Sequence, residues 1–531
     1  MEHHLSEFFT DEIARQAGLG ARRGEADPLV TGLEYDSRKA GPGSLFFALP
    51  GLHTDGHRYI AAAAAKGAAV VVHEAAIDDH LPGVVYLQVK NSRFAMSPVS
   101  AAFYGFPSRR LIVAGVTGTE GKSTTVYLIY QLLRLLGKKA GFFSTVQYCL
   151  GGEVQWNPEH QTTPEATAVQ RLLREMADKG CEYAVVEASS HGLSERTNRL
   201  GDVEFRAAVC TNVTHEHLEF HGTWEQYRDD KANLFRALDR CASSKDPAPF
   251  GIINADDKSA DYFAGATQQR TLRFSVKGKD ADLSLRALES DSLGNWYDAF
   301  IAPENNSIDI RDRLPGAFNA GNLFAALLAV QELTGIPLRK FAPLASRLQP
   351  VRGRMTSIVQ GQPFELVVDY AHTPSSFRAI FPPLRERLNR SGGRLISLFG
   401  SAGERDIQKR AGQGRIASEY SDIIVLADED PRGERPMDIL EEIAKGCEAD
   451  QGREADRPAS AFRREENLFL IPDRPAAIRK ALSLAGPGDM VLLLGKGHEN
   501  SIIYADRTMP YDEISEAEKA LSELGYGYKD K

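Results

Sequence analysis

From Leu111 onward, short apolar runs rich in β-branched residues alternate with longer stretches of helical periodicity. The runs are Leu111–Val116, Tyr183–Glu187, Ala207–Val213, Phe250–Asn254, Leu366–Asp369, Leu395–Phe399, Ile423–Leu426, Leu468–Ile471 and Met490–Leu494. They are apolar at nearly every position, not at alternate ones. That is the signature of strands buried on both faces, and with helices between them it predicts a parallel α/β sheet. Most runs end close to Gly, Asn, Asp or His. Ligands in such sheets bind at the carboxyl ends of the strands, so chemistry is expected at those polar residues.

The first 108 residues read differently. Strands are shorter, the stretch AGPGSLFFALPGLHTDGHRY is rich in glycine, and AAAAAKGAAVVV reads as a helix ending at glycine before a buried strand. PSRR before Leu111 reads as a linker, and LQPVRGR places a second boundary near Gln349–Arg352. The polar, strand-like segment from Leu272 to Arg313 is expected to be an antiparallel insertion in the central domain. At 531 residues the chain is too long for one core, and domains of about 100–200 residues make three the natural count. The expected limits are 1–108, 109–349 and 350–531.

Composition narrows the class. Hydrophobic residues are 42% and charged residues 25%, as in an ordinary globular protein. The net charge of −9 argues against general binding of nucleic acid or anionic membranes, but leaves room for a local phosphate pocket. The five cysteines (Cys149, Cys181, Cys210, Cys241, Cys447) are scattered, which argues against a disulfide framework or a structural zinc site. MEHHLSEFFTDEIARQ is too polar for a signal peptide, and no apolar run reaches the ~18 residues of a membrane span. A cytoplasmic protein without membrane insertion is expected.

LIVAGVTGTEGKSTTVYLIYQLL is a strand, a glycine-rich loop, a Lys-Ser pair and a helix. Glycines let backbone N–H groups approach phosphate oxygens, the helix N-terminus adds positive dipole, Lys122 can bridge terminal phosphates and the Ser123 hydroxyl can ligate Mg²⁺. The strict G-x-x-x-x-G-K-[ST] spacing is not met, because Val116 takes the first glycine position. Gly118, Thr119, Gly121, Lys122, Ser123 and Thr124 form the expected ATP cradle. The central domain is therefore read as a P-loop ATPase between a small N-terminal α/β module and a C-terminal Rossmann-like domain. The loop alone suits a kinase, a GTPase or an ATPase.

GVTGTEGKSTT (115–125) resembles the nucleotide loop of the Mur ligase family. EASSHGL (187–193), TNVTHEHLEFHGT (211–223), INADD (253–257), LPGAFNAGN (314–322) and VDYAHTP (368–374) follow the family pattern in order. DSR (36–38), TTPE (162–165), GRM (353–355), ERDIQKR (404–410), DEDPRGE (428–434) and GKGHE (495–499) resemble the subgroup that adds the third peptide residue. The resemblance implies an ATP-dependent ligase of cell-wall precursor synthesis. It would activate a carboxylate of UDP-N-acetylmuramoyl-L-Ala-D-Glu as an acyl-phosphate and join it to a diamino acid, acting as a monomer with Mg²⁺.

The resemblance also implies roles. Glu187, His217, Ser123 and a carbamylated Lys231 would hold metal, with Lys122 beside them as catalytic residues. Asn254, Asn319, Arg354, Asp369 and His372 would contact ATP, Arg354 only once the domains close. Helix capping is an equally ordinary role for Asn319 and Asn322. Ser37, Thr162, Thr163 and Ser190 would contact the UDP-sugar-peptide. The spacing in SERTNRL leaves either Arg196 or Arg199 as the substrate arginine. Arg405, Asp430, Arg432, Gly495 and Glu499 would receive the amino acid.

Two departures stand out. Glu120 occupies a position usually held by asparagine, and is expected either to face solvent or to assist the metal. Asp430 replaces the asparagine of the diaminopimelate-adding pattern DNPR, and Glu429 precedes it. An added carboxylate favours a distal amine, hence lysine or ornithine, whereas the retained Arg432 argues for diaminopimelate. The alternatives are another ligase of the superfamily, such as a folylpolyglutamate synthetase, a P-loop kinase or switch, and a non-catalytic nucleotide-binding scaffold. DSR and GKGHE argue against the first. The last domain and Lys231 are unexplained by the second, and intact Lys122, Glu187 and His217 argue against the third.

Overall fold

The computed structural model describes residues 1–51, 54–77, 80–157, 161–214, 218–241, 246–291, 294–314, 316, 319–448 and 462–527, the side chains of 218, 219 and 291 excepted. Two compact units emerge. One spans Met1–Glu289, Trp296–Asp312 and Asn319–Leu348; the other comprises Gln349–Lys531 with the short pieces Ser290–Asn295 and Arg313–Phe318.

Besides the short pairing of His3–His4 with Leu29–Val30, the first unit holds two larger sheets among the described residues. The smaller has five strands in the order Leu19–Arg23, Val85–Val89, Val70–His73, Ser44–Phe47, Gly32–Glu34. The last four are parallel and the first is an antiparallel edge. The helix Ile60–Ala65 ends before Gly67, whose φ of +100° turns the chain into the buried strand Val70–His73. PSRR is a 3₁₀ turn, Pro107–Arg110.

The larger sheet has eleven strands. At its centre Ala140–Phe143, Tyr183–Glu187, Ile112–Thr117, Ala207–Cys210, Phe250–Asn254 and Arg270–Ser275 run parallel, as the apolar runs predict. The segment expected to be an antiparallel insertion begins otherwise. Arg270–Ser275 and Leu283–Asp291 pair in parallel, so the polar strands extend the sheet instead of starting a separate hairpin. Alternation of buried and half-buried residues in Gly294–Ile301 explains the polar composition: one face is covered and the other is not.

The helix Trp224–Leu238 lies on this sheet and brings the site its lysine. Thr223 caps it by accepting from the Gln226 N–H at 3.1 Å. Its inward stripe is Tyr227, Asp230, Lys231, Leu234, Phe235 and Leu238, all buried. Full burial of Leu234 and Phe235 contributes about 1.5–3 kcal/mol each. Close approach requires glycine beneath. A Cβ at Gly115 would lie 2.6 Å from Leu234 Cδ1, and one at Gly251 2.8 Å from Phe235 Cε1.

The second unit carries a six-stranded sheet in the order Thr356–Ile358, Glu365–Asp369, Met490–Leu494, Leu395–Phe399, Ile423–Leu426, Leu468–Leu470. All but the first strand run parallel. The fully buried Arg474 spans two strand ends, donating to Asp428 O at 3.0 Å and Leu494 O at 2.6 Å. Its guanidinium also pairs with the equally buried Glu513 at 2.7 Å. Among the described residues no single helix is long and apolar enough to cross a membrane.

Candidate active site

The strand Ile112–Thr117 delivers the chain into the glycine loop. Gly118 has φ +151°, and a Cβ there would lie 1.9 Å from Thr211 Oγ1. Gly121 has φ +83° at the start of the helix Lys122–Leu135, and its Cβ would lie 2.2 Å from Asn322 Oδ1. No other residue fits at either point. The helix carries no acidic residue in its own first turn, so the positive end of its dipole is open to an anion. Lys122 Nζ donates to Thr119 O at 2.8 Å. Thr124 is half-buried on the first turn.

The loop is braced from behind by Thr211, Asn212, Thr214 and Tyr227, to which the sequence reading gave no role. The Glu120 N–H donates to Asn212 Oδ1 at 2.9 Å, and Thr211 Oγ1 donates to Glu120 O at 2.6 Å. The Thr119 hydroxyl accepts from the Thr214 N–H at 2.9 Å and lies 3.2 Å from the Tyr227 hydroxyl. Asn254 sits beneath, donating to Thr211 O at 2.8 Å. Asp257, beside it, accepts from the Val213 N–H at 2.7 Å. Asn319 and Asn322, at the start of the helix Asn319–Thr334, bond each other at 2.9 Å, and Asn322 accepts from Thr125 Oγ1 at 3.3 Å. Asn322 thus meets the P-loop helix, and Asn319 holds Asn322.

Ser123 and Glu187 come together. Ser123 Oγ donates to Glu187 Oε2 at 2.9 Å, and only 1% of Glu187 is exposed. Thr145, which the sequence reading missed, donates its N–H to Oε2 at 2.8 Å and its hydroxyl to Oε1 at 3.0 Å. Lys231 is buried, donates to Gly118 O at 2.7 Å and lies 4.3 Å from the Tyr227 ring centroid. His217 lies outside the described residues. The assembled donors, a hydroxyl and a carboxylate beside backbone amides, are all oxygen, which suits a hard cation such as Mg²⁺.

Next to Glu187 the chain is pinned by Thr163, whose hydroxyl donates to Glu187 O and accepts from the Ser189 N–H, both at 2.9 Å. Thr162 is half-buried beside it. Arg199 is held inside the fold, donating to Thr163 O at 2.8 Å and Glu165 at 2.7 Å. Arg196 is exposed, with one nitrogen donating to Phe220 O at 3.0 Å. Ser190 is buried, its hydroxyl 3.0 Å from His221 Nε2. Ser37 is half-buried in the five-stranded module. Next to it, hydrogen bonds from the Arg38 side chain hold the Asp36 carboxyl at about 2.

The second unit gathers its own cluster at the carboxyl ends of its strands. Asp369 accepts from the Met355 and Ala371 N–H groups, each at 2.7 Å, which fixes Met355 at a φ of +48°. This carboxylate thus ties the segment after the Gln349–Arg352 boundary to the strand Glu365–Asp369. Arg354 stacks on Tyr370 at 4.6 Å, and the His372 and His498 rings flank it at 4.7 and 4.6 Å. Burial pushes the Tyr370 hydroxyl well above its ordinary range. That hydroxyl donates to Glu499 at 3.2 Å.

Lys496 is fully buried between Asp430 at 2.9 Å and Glu499 at 2.5 Å. The extra carboxylate at 430 is therefore neutralised from within, and its premise as an open partner for a substrate amine needs correction. Glu429 is 6% exposed, and its Oε2 has no hydrogen-bond partner among the described residues. Gly495, at φ +102°, lets the chain pass Glu429: a Cβ there would lie 3.2 Å from that oxygen. Arg432 adopts φ +53° and donates its N–H to Ile503 O at 2.9 Å. Arg405 is exposed.

The chain matches the Mur ligase family catalytic domain at residues 29–111, the Mur ligase middle domain at 116–330 and the Mur ligase glutamate ligase domain at 353–497. It belongs to the Mur ligase family. Among curated relatives of this Mur ligase, the UDP-N-acetylmuramyl-tripeptide synthetase of Treponema denticola is 52% identical, over 94% of this chain and 95% of that one. That of Treponema pallidum is 50% identical over 93% of each. A solved UDP-N-acetylmuramoyl-L-alanyl-D-glutamate–2,6-diaminopimelate ligase superposes with a TM-score of 0.62 at 26% identity, covering 99% of this chain and 100% of its own. This Mur ligase has the three-domain α/β architecture of the family and is an ATP-dependent ligase.

Proposed function

We propose that the enzyme joins a diamino acid to a carboxylate of UDP-N-acetylmuramoyl-L-Ala-D-Glu in peptidoglycan precursor synthesis, through an acyl-phosphate. The observation that carries this reading is the 2.9 Å contact between Ser123 and the buried Glu187 at the mouth of a loop whose two glycines leave no room for a Cβ. Backbone N–H groups of Gly121, Lys122 and Ser123, with the Lys122 ammonium, hold the ATP phosphates, while those of Thr119 and Glu120 are tied back to Asn212. Ser123, Glu187, His217 and Lys231 (as its carbamate, which turns a cation into an anionic oxygen ligand) hold Mg²⁺. Bound there, Mg²⁺ supplies charge neutralisation of the transferring phosphoryl group.

The acceptor carboxylate attacks the γ-phosphorus, and ADP leaves. The diamino acid's amine then attacks the acyl-phosphate carbon. The tetrahedral intermediate expels phosphate, and the amine loses its proton. Ser37, Thr162, Thr163 and Ser190 face the UDP-linked substrate in this reading. Arg196 is favoured over Arg199 as the substrate arginine, because Arg199 is committed to Glu165 and Thr163.

Arg405, Asp430, Arg432, Gly495 and Glu499 surround the incoming amino acid. With Asp430 occupied by Lys496, the buried Oε2 of Glu429 takes over the argument for a distal ammonium, and lysine or ornithine stays ahead of meso-diaminopimelate. Free thiols at all five cysteines suit a reducing cytoplasm, where the enzyme acts as a monomer.

Phosphate release is the test. With ATP, Mg²⁺ and UDP-N-acetylmuramoyl-L-Ala-D-Glu, release should depend on an added diamino acid and match tripeptide formed one to one. Release that ignores the UDP-linked acceptor would overturn the reading.

A further inference from the structure

Three buried side chains from three separate segments form one hydrogen-bonded chain. Ser190 Oγ lies 3.0 Å from His221 Nε2, and His221 Nδ1 lies 2.6 Å from Asp230 Oδ2. Asp230 Oδ1 accepts from Gln226 Nε2 at 3.1 Å. Exposures of 2%, 3% and 4% remove all three from water. Buried polar groups need such partners, and each link is worth more in a dry interior than at the surface. With Asp230 a carboxylate, the Nδ1 proton points to it. In the neutral imidazole Nε2 then carries the lone pair, and Ser190 donates.

Its members sit at telling places. Ser190 follows Glu187 by three residues, on the helix Ser190–Leu193 that opens as the strand Tyr183–Glu187 ends. Asp230 precedes Lys231 on the helix Trp224–Leu238. His221 ends the helix Leu218–His221, which begins directly after His217 in the sequence. The ring of His221 is packed against Tyr227 at 5.1 Å, the residue whose own ring meets the Lys231 ammonium.

We propose that Ser190, His221 and Asp230 form a positioning network that staples the Glu187 segment to the Lys231 helix and so holds the two in register as metal ligands. The proposal rests on the reading of Glu187 and Lys231 given above. None of the three touches the reacting atoms in this account. They act by fixing the backbone from which the ligands project, as outer partners of metal sites commonly do.

The experiment uses the full chain and Mn²⁺ as probe, titrated without nucleotide and read by water-proton relaxation. Asp230→Asn is isosteric but removes the charge and leaves one acceptor where the carboxylate serves both His221 and Gln226, and His221→Asn removes the Nε2 link. Each should weaken Mn²⁺ binding about tenfold, and the double variant should be no weaker than the worse single one, because one chain is broken once. In turnover, kcat at low Mg²⁺ should fall about tenfold and recover at high Mg²⁺. Loss that high Mg²⁺ does not restore, or unaltered Mn²⁺ affinity in a folded Asp230→Asn chain, overturns the network. Glu187→Gln is the separate control: if it leaves Mn²⁺ binding intact, the metal reading itself is wrong.

Discussion

Thr145 grips Glu187 at both carboxylate oxygens, its N–H on Oε2 at 2.8 Å and its hydroxyl on Oε1 at 3.0 Å. A fork of this kind fixes the plane of the carboxylate as well as its position. Replacing Thr145 by valine keeps the shape and the N–H but frees Oε1. The expected result is a rise of about 10-fold or more in the Mg²⁺ concentration needed for half-maximal rate, with serine at 145 close to wild type. A valine variant indistinguishable from wild type across a Mg²⁺ titration would show that the fork is idle.

Lys122→Ala and Glu187→Gln address the centre itself. Each should cut tripeptide synthesis by at least about 10²-fold, while tryptophan fluorescence reports an intact fold. Parent-like turnover in either variant would remove the basis of the mechanism.

The Asp430–Lys496 pair sets the charge where the amino acid is proposed to bind. Asp430→Asn leaves Lys496 with one carboxylate partner fewer and makes the pocket more positive. Competition between lysine, ornithine and meso-diaminopimelate should favour the basic amino acids in wild type. The variant should shift about tenfold towards diaminopimelate, whose distal carboxylate welcomes a cation, about 1.4 kcal/mol. No shift would mean that the pair is remote from the bound side chain.

Arg474 and Glu513 form an ion pair with both side chains fully buried. Arg474→Ala strands a carboxylate in the interior, and the second unit should lose about 3–5 kcal/mol. Arg474→Met with Glu513→Leu should recover much of that stability, yet not the carbonyl bonds to Asp428 and Leu494 that fix the strand ends. Urea unfolding of the three chains, followed beside amino-acid KM, separates the two effects.

Burial raises the Asp428 carboxyl to about 6. Its folded value exceeds the unfolded value of about 4, so the native state holds this proton longer. Its contribution to stability is present below pH 4 and is lost as pH rises to 6, then stays level. Asp428→Asn should remove that part of the slope between pH 4 and 6 in paired urea midpoints. An identical slope in both chains would count against a buried, protonated Asp428.

Much of the fold was legible because strands buried on both faces are apolar at every position, and Tyr183–Glu187 or Met490–Leu494 read as nothing else. The glycine loop was equally plain. Thr145 was not, because one threonine after the strand Ala140–Phe143 carries no period or spacing. Asp230 left a signal that was overlooked. With Lys231 it occupies the inward stripe marked by Tyr227, Leu234 and Leu238, and charged residues on an apolar helix face require partners. The parallel pairing at Arg270–Ser275 escaped because alternating polarity reports a half-covered face and says nothing of strand direction. Lys496 lay inside a quoted motif, but a lysine's partners are set by packing that no motif records.

Gly115 and Gly251 have a consequence beyond packing. Each presents only a hydrogen to the helix above, so the altitude of that helix over the sheet is defined by the smallest surface the genetic code can offer. The Lys231 ammonium spans the remaining gap to Gly118 O at 2.7 Å, with no slack. An alanine at 115 would press its methyl into Leu234 and Phe205, and any tilt of the helix that relieves it would carry Lys231 off its mark, so one methyl group within a β-strand would be felt as lost chemistry.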